Sequence, residues 1–281
     1  MKKISIIGAG TMGCDIAQIF SLKGFDVIVR DITDAIIGNA QAKLEKSLAR
    51  QVEKGKMEQS VKDAAVARIL FTTDLNLTAD SDLVIEAIIE DVKIKTELYK
   101  TLDKICKPET IFATNTSSLS IAELSGAVSR KDKFIGMHFF NPVPVMKLIE
   151  VIRSLFTSDE TFNAIYELAL SIGKEPVEVK DGPGFIVNKI LIPMINEAIC
   201  VLHDGVASAV DIDKAMQLGA NHPMGPLALS DLVGNDVVLH IMNRLHEETG
   251  DPKYRPCLLL KNMVRGGLLG RKTGKGFFEY Q

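Results

Sequence analysis

The chain has no tryptophan and only four cysteines in 281 residues. Cys14, Cys106, Cys200 and Cys257 lie far apart, with no C-x-x-C pair. That spacing excludes a disulfide framework and a thiolate zinc site, and it fits reduced thiols inside a cell. Strong charge of one sign is also missing. With 33 basic and 36 acidic residues the formal charge is −3, which gives no support to general nucleic-acid binding. The 21 glycines and 10 prolines are too few for a fibrous or low-complexity chain, and no internal repeat is evident. Long apolar runs are absent too. Residues 185–202 come nearest, but Asn188, Lys189, Asn196 and Glu197 interrupt them, so they read as a buried core helix and not as a membrane span. Lys2 and Lys3 before an apolar stretch imitate a signal peptide. Glycines break that stretch and Asp15 soon follows, so the cytoplasm is the expected location. No histidine clusters with cysteine or carboxylate at ligand spacing, and no metal is expected.

What is present is an ordinary globular composition, 46% hydrophobic and 25% charged, at a length that suits two domains. Short apolar or β-branched runs at residues 4–7, 25–30, 83–88, 111–113, 134–137, 148–152 and 176–179 alternate with helical stretches. Several are apolar throughout, as in strands buried on both faces of a parallel sheet. The pattern predicts a doubly wound α/β domain. Residues 33–68 are too long for one crossover helix, and Gly55 breaks them, so they read as a helical hairpin with Ala42, Leu44, Leu48 and Val52 packed inward. At Lys180-Asp181-Gly182-Pro183-Gly184 the pattern changes. Beyond it, residues 185–203, 211–218, 226–248 and 254–264 fit helices, with Asp211 as an N-cap and Pro226 in a first turn. The division is therefore 1–182 and 183–281, the second part all-helical.

The first strand runs into Gly8-Ala9-Gly10-Thr11-Met12-Gly13, a G-x-G-x-x-G between strand and helix, and Asp31 follows at the end of the next strand. In this context the motif is the dinucleotide-binding fingerprint. Gly8 permits the tight turn, Gly10 lets the backbone approach a pyrophosphate, and Gly13 lets helix and strand pack closely. The helix N-terminus then faces the phosphates. Asp31 accepts the ribose hydroxyls and repels a 2′-phosphate, which favours NAD over NADP; the neighbouring Arg30 keeps NADP open. Ligands sit beyond the carboxyl ends of such strands. The polar residues there are Glu86, Glu90 and Lys95, then Asn115 to Ser118, then His138 and Asn141. His138 precedes a turn at Asn141-Pro142-Val143-Pro144. A chain that reverses there brings Glu150 against His138, a proton acceptor with a carboxylate to fix its tautomer.

The segments IGAGTMG (7–13), ATNTSSLSI (113–121), GMHFFNPVPVMKLIEV (136–151), PGFIVNKILIPMINEA (183–198), ANHPMGPLALSDLVG (220–234) and GRKTGKGFFEY (270–280) resemble the L-3-hydroxyacyl-CoA dehydrogenase family over essentially the whole chain. The nearest pattern is that of its short bacterial members acting on 3-hydroxybutyryl-CoA. The resemblance implies a Rossmann-type sheet with a hairpin insertion, followed by an all-α domain that forms a homodimer. It implies reversible NAD-dependent oxidation of the 3-hydroxyacyl-CoA to the 3-oxoacyl-CoA. His138 falls on the acid/base position, Glu150 on its orienting carboxylate, Ser117 on the residue that holds the substrate oxygen, and Asn188 on the thioester contact. The matching cofactor positions are Gly8, Gly10, Thr11, Met12, Gly13, Asp31, Ala87, Glu90, Lys95, Asn115, Ser117 and His138.

Coenzyme A carries several phosphates, and the hairpin offers Lys43, Lys46, Arg50, Lys54 and Lys56. Arg50 and Lys54, at i and i+4 on one face, are the pair expected to hold them. Departures from the family pattern are Cys14-Asp15 after the third glycine, Lys189 after Asn188, and Asn235 in a commonly apolar slot. Asp15 lies near the phosphates and either weakens cofactor binding or points to solvent. Two other readings stay open on the sequence: a dehydrogenase of a free hydroxy acid or sugar acid, and a non-catalytic NAD-binding protein.

Overall fold

The computed structural model describes residues 1–280. Two compact units emerge, Met1–Asp181 and a second from Gly182 onward. The first is built on one eight-stranded sheet in the order β3-β2-β1-β4-β5-β6-β7-β8. Its elements are β1 (Lys3–Ile7), α1 (Thr11–Leu22), β2 (Asp26–Arg30), α2 (Asp34–Glu53), α3 (Gln59–Ala67), β3 (Ile69–Thr72), β4 (Leu83–Glu86), α4 (Val92–Ile105), β5 (Ile111–Thr114), α5 (Ile121–Ser125), β6 (Phe134–Phe139), β7 (Leu148–Arg153), α6 (Asp159–Ser171) and β8 (Glu175–Lys180). Strand order reverses about β1, which has β2 on one side and β4 on the other. In open α/β sheets, ligands bind outside the carboxyl ends of the strands at such a switch point.

The expected doubly wound α/β architecture is present, and one pair departs from it. β6 and β7 run antiparallel, because the Asn141–Pro144 turn is too short for a parallel crossover. β3 is an addition to the strands expected from the sequence. Its residues are only half-buried or exposed, so the short run lacks the apolar signal of its neighbours. β4 stops at Glu86, not residue 88, where the chain leaves the sheet and Asp91 caps α4 by accepting from Lys93 and Ile94 N–H. The hairpin is α2 and α3, broken at Gly55, whose φ of 65° suits glycine. Leu44 and Leu48 pack into the core as expected, but Ala42 is exposed and its place is taken by Ile37 and Ala40. The main core lies between the sheet and its helices, through Ile4, Ile6, Ile16, Phe20, Leu83, Ile85, Ile135 and Met137.

The second unit is helical: α7 (Val187–His203), α8 (Ala209–Gly219), α9 (Pro226–Val233), α10 (Asn235–Thr249) and α11 (Leu258–Arg265). Four expectations need correction. The last helix starts at Leu258 and not at residue 254, because Pro252–Tyr254 form a separate short turn and Arg255 and Cys257 are not helical. Residues 226–248 form two helices, parted at Gly234 with φ 104°. Ser208, not Asp211, caps α8; Asp211 sits in the first turn and donates its N–H to Ser208 Oγ. The segment 185–202 is not buried all round: α7 buries Ile192, Ile195 and Ile199 while Ile190 is exposed. Asn235, polar in an apolar slot, is fully buried and satisfied by Ser230, Asp231 and the Leu268 carbonyl. Asp231 in turn accepts the N–H groups of Phe277 and Phe278 and fastens the glycine-rich tail.

Candidate active site

The glycine turn follows from close packing. Gly8 has φ 108°, and a Cβ there would stand 2.5 Å from the Ala87 carbonyl oxygen. A Cβ on Gly13 would stand 1.8 Å from the Gly8 oxygen. Gly10 is different: its φ of −70° suits any residue, and a Cβ would meet nothing within 4 Å. Gly10 is also the N-cap of α1, whose N-terminus has no side-chain cap. Asp31 is anchored beside it, Oδ2 accepting from Ala9 N–H and Oδ1 from Ile32 N–H, each at 2.7 Å. Arg30 Nε donates to the Thr73 carbonyl, which ties that cation to the end of β3.

At the ends of β4 and β5 lies a buried charge cluster. Lys95, one turn into α4 and 1% exposed, places Nζ 2.5 Å from Glu86 Oε1 and 3.2 Å from Glu90 Oε2. Glu86 also accepts from Thr114 Oγ1 and Ile88 N–H. Glu90 gathers the loop after β5: Thr116 Oγ1 at 2.5 Å, Ser117 N–H at 2.9 Å, and the N–H and Oγ of Ser118. Burial pushes the Glu90 carboxyl up, but Lys95 and these donors outweigh it and hold it below its usual range. Asn115 Oδ1 accepts from Phe139 N–H, linking this loop to β6.

His138 and Glu150 face each other across the antiparallel pair, register partners on β6 and β7. His138 Nδ1 lies 2.6 Å from Glu150 Oε2, and both side chains are buried. The imidazole packs on Phe140, with centroids 4.6 Å apart. The turn beyond is held by Lys174, whose buried ammonium donates to the Val143 and Met146 carbonyls. β1, β4, β5 and β6 are parallel, so the glycine turn, the charge cluster and His138 share one edge of the sheet.

Comparison with known proteins identifies the family. The model of the 3-hydroxyacyl-CoA dehydrogenase NAD binding domain matches residues 3–182, and that of the 3-hydroxyacyl-CoA dehydrogenase C-terminal domain matches residues 184–280. The chain belongs to the 3-hydroxyacyl-CoA dehydrogenase family. A 3-hydroxybutyryl-CoA dehydrogenase of Clostridioides difficile is 53% identical over 99% of both chains. Human mitochondrial hydroxyacyl-coenzyme A dehydrogenase is 44% identical over 100% of this chain and 92% of its own. The crystal structure of an (S)-3-hydroxybutyryl-CoA dehydrogenase from Ralstonia eutropha superposes with a TM-score of 0.97 at 48% identity, covering 100% of this chain and 99% of that one.

For this dehydrogenase family member the open face at Gly10, the uncapped N–H groups and the anchored Asp31 fit a dinucleotide. The first unit brings Gly8, Gly10, Thr11, Met12, Gly13 and Asp31 to one end of that edge. It brings Ala87, Glu90, Lys95, Asn115, Ser117, His138 and Glu150 to the rest. Asn188 stands in the first turn of α7, in the second unit. Arg50 and Lys54 are exposed at the end of α2. Asp15 is half-buried and does not simply face solvent. Burial pushes its carboxyl up, against the Val143 N–H and the Lys43 ammonium. The sequence places Glu86 among the edge residues without a role. The available signal was a glutamate closing an apolar strand and a lysine on the apolar side of a helix, each of which needs a buried partner.

Gly13→Ala is expected to cost about 2–3 kcal/mol by overpacking against backbone, whereas Gly10→Ala stays within about 0.5 kcal/mol yet weakens NADH binding. Urea unfolding and NADH titration check both, and equal stabilities contradict the packing account. Glu90→Gln is expected to destabilise by about 1–3 kcal/mol at pH 7. The wild-type carboxyl is depressed, so its contribution is present above 4.5 and is lost as pH falls below that. The deficit of the variant therefore shrinks in acid; an unchanged deficit at pH 3 contradicts it.

Proposed function

We propose that the protein is an NAD-dependent dehydrogenase that interconverts L-3-hydroxybutyryl-CoA and acetoacetyl-CoA, with His138 and Glu150 as its acid/base pair. The observation that carries this reading is the 2.6 Å contact from His138 Nδ1 to Glu150 Oε2, placed on the sheet edge that holds the dinucleotide fingerprint. With Nδ1 engaged by the carboxylate, Nε2 is the ring nitrogen that exchanges a proton with the substrate oxygen at C3. Imidazole suits the task because it titrates near neutrality, and Glu150 stabilises its charged form. Ser117, fixed by its N–H bond to Glu90, holds the substrate oxygen and polarises the ketone in reduction. Bound nicotinamide supplies or receives the hydride. In oxidation one hydride leaves C3, one proton passes to His138, and the carbonyl forms.

On the resemblance, Asn188 is the contact for the thioester, and Arg50 with Lys54 holds the coenzyme A phosphates. The second unit is proposed to form a homodimer. Its exposed apolar residues, among them Ile190, Val206, Val210 and Leu218, support that reading. No helix among the described residues is long and apolar enough to cross a membrane; the cytoplasm is the proposed location.

The test follows oxidation of NADH and, separately, of NADPH with acetoacetyl-CoA and with free acetoacetate. Rapid turnover with NADH and the CoA ester, and weak turnover with NADPH, is expected. Preference for NADPH overturns the assignment of Asp31. Equal turnover of free acetoacetate overturns the substrate and favours a free hydroxy-acid dehydrogenase, and no turnover with any pair favours a non-catalytic role.

A further inference from the structure

The glycine turn carries two charges that the dinucleotide fingerprint does not contain. Asp15 lies four residues after Thr11 in α1, so the two share one face of the helix. Lys43 reaches that face from the middle of α2, its Nζ donating to Thr11 Oγ1 at 3.0 Å. Its charge acts on both the Asp15 carboxyl and the Cys14 thiol in the same turn. The ammonium of this exposed side chain therefore stands at the N-terminus of α1.

Asp15 follows the first helical turn on the Thr11 side of α1, and its charge opposes a dianionic pyrophosphate arriving at the N–H groups of that turn. A lysine bonded to the first helical residue removes that conflict. Distance along the helix separates Lys43 from the pair assigned to coenzyme A. At 1.5 Å per residue, Arg50 lies about 10 Å and Lys54 about 16 Å further along α2.

We propose that Lys43 is a cofactor-binding residue of this chain: it offsets the charge of Asp15 and engages the pyrophosphate of the dinucleotide. This rests on the reading of residues 8–13 as the NAD site. It assigns Lys43 to a different ligand from the hairpin cations with which the sequence groups it. It also makes the departure at Asp15 a tolerated one, because this chain supplies its own counter-charge.

Equilibrium binding tests the proposal without turnover. NADH is titrated by its fluorescence, and ADP-ribose and coenzyme A by calorimetry. The proteins are the wild type, Lys43→Met, Lys43→Arg, Asp15→Asn and the Lys43→Met/Asp15→Asn double variant. Lys43→Met is expected to weaken NADH and ADP-ribose about tenfold at low ionic strength, a loss that shrinks with added salt. Coenzyme A binding is expected to stay within about twofold of wild type. Lys43→Arg keeps the charge and the affinity, and Asp15→Asn binds NADH at least as tightly as wild type. Adding Asp15→Asn to Lys43→Met recovers most of the loss. Unchanged NADH affinity in Lys43→Met overturns the proposal, and so does a loss confined to coenzyme A or a double variant no better than Lys43→Met. A wild-type chain that binds neither NADH nor ADP-ribose overturns the underlying reading of the site as well.

Discussion

A single reversal of strand direction brings the proposed acid/base pair together. In a sheet otherwise built from parallel pairs, β6 and β7 run antiparallel, and their register places His138 opposite Glu150. Directly opposed residues on one face of such a pair have Cβ atoms about 5 Å apart, close enough for imidazole and carboxylate to bond at 2.6 Å. A parallel crossover would need a dozen or more residues and would carry Glu150 away. The Lys174 ammonium, donating to two carbonyls of the turn, fixes the loop that makes the reversal.

Around this pair the structure keeps several charges out of water. Removing one ion from water costs several kcal/mol even after relaxation. Lys95 and Glu86 are 1% and 0% exposed, and neither tolerates burial without a close partner. Their contact, extended to Glu90, accounts for that cost. It also gives the loop after β5 its shape, because Glu90 collects donors from Thr116, Ser117 and Ser118. The residue proposed to hold the substrate oxygen is thus positioned by a carboxylate that is itself held by a buried lysine. On the proposed reading, function and stability share the same bonds here.

Much of this was legible in the sequence, for reasons that differ by residue. The glycine fingerprint is readable because each glycine answers a separate steric demand, and Asp31 because it ends the next strand. The His138–Glu150 pairing is readable because a short proline-rich turn between two apolar runs implies a reversal. The Glu86–Lys95 pair was not, since nine residues across a loop correspond to no strand or helix period. β3 escaped because a four-residue strand with half-exposed side chains carries no apolar run. The place of Lys43 escaped because a lysine in a charged helix looks like every other until its partner on α1 is seen. The break between α9 and α10 was visible only as Gly234, which in isolation a helix tolerates.

The central claim is that Glu150 acts on the reaction through His138. The most direct test measures kcat for acetoacetyl-CoA reduction in the wild type, His138→Gln, Glu150→Gln and the double variant. The account predicts a loss of roughly 10²–10⁴-fold for His138→Gln and a smaller loss for Glu150→Gln. The double variant should be no slower than His138→Gln, because the carboxylate has nothing left to orient. Losses that multiply in the double variant would contradict it, since Glu150 would then contribute independently of the imidazole.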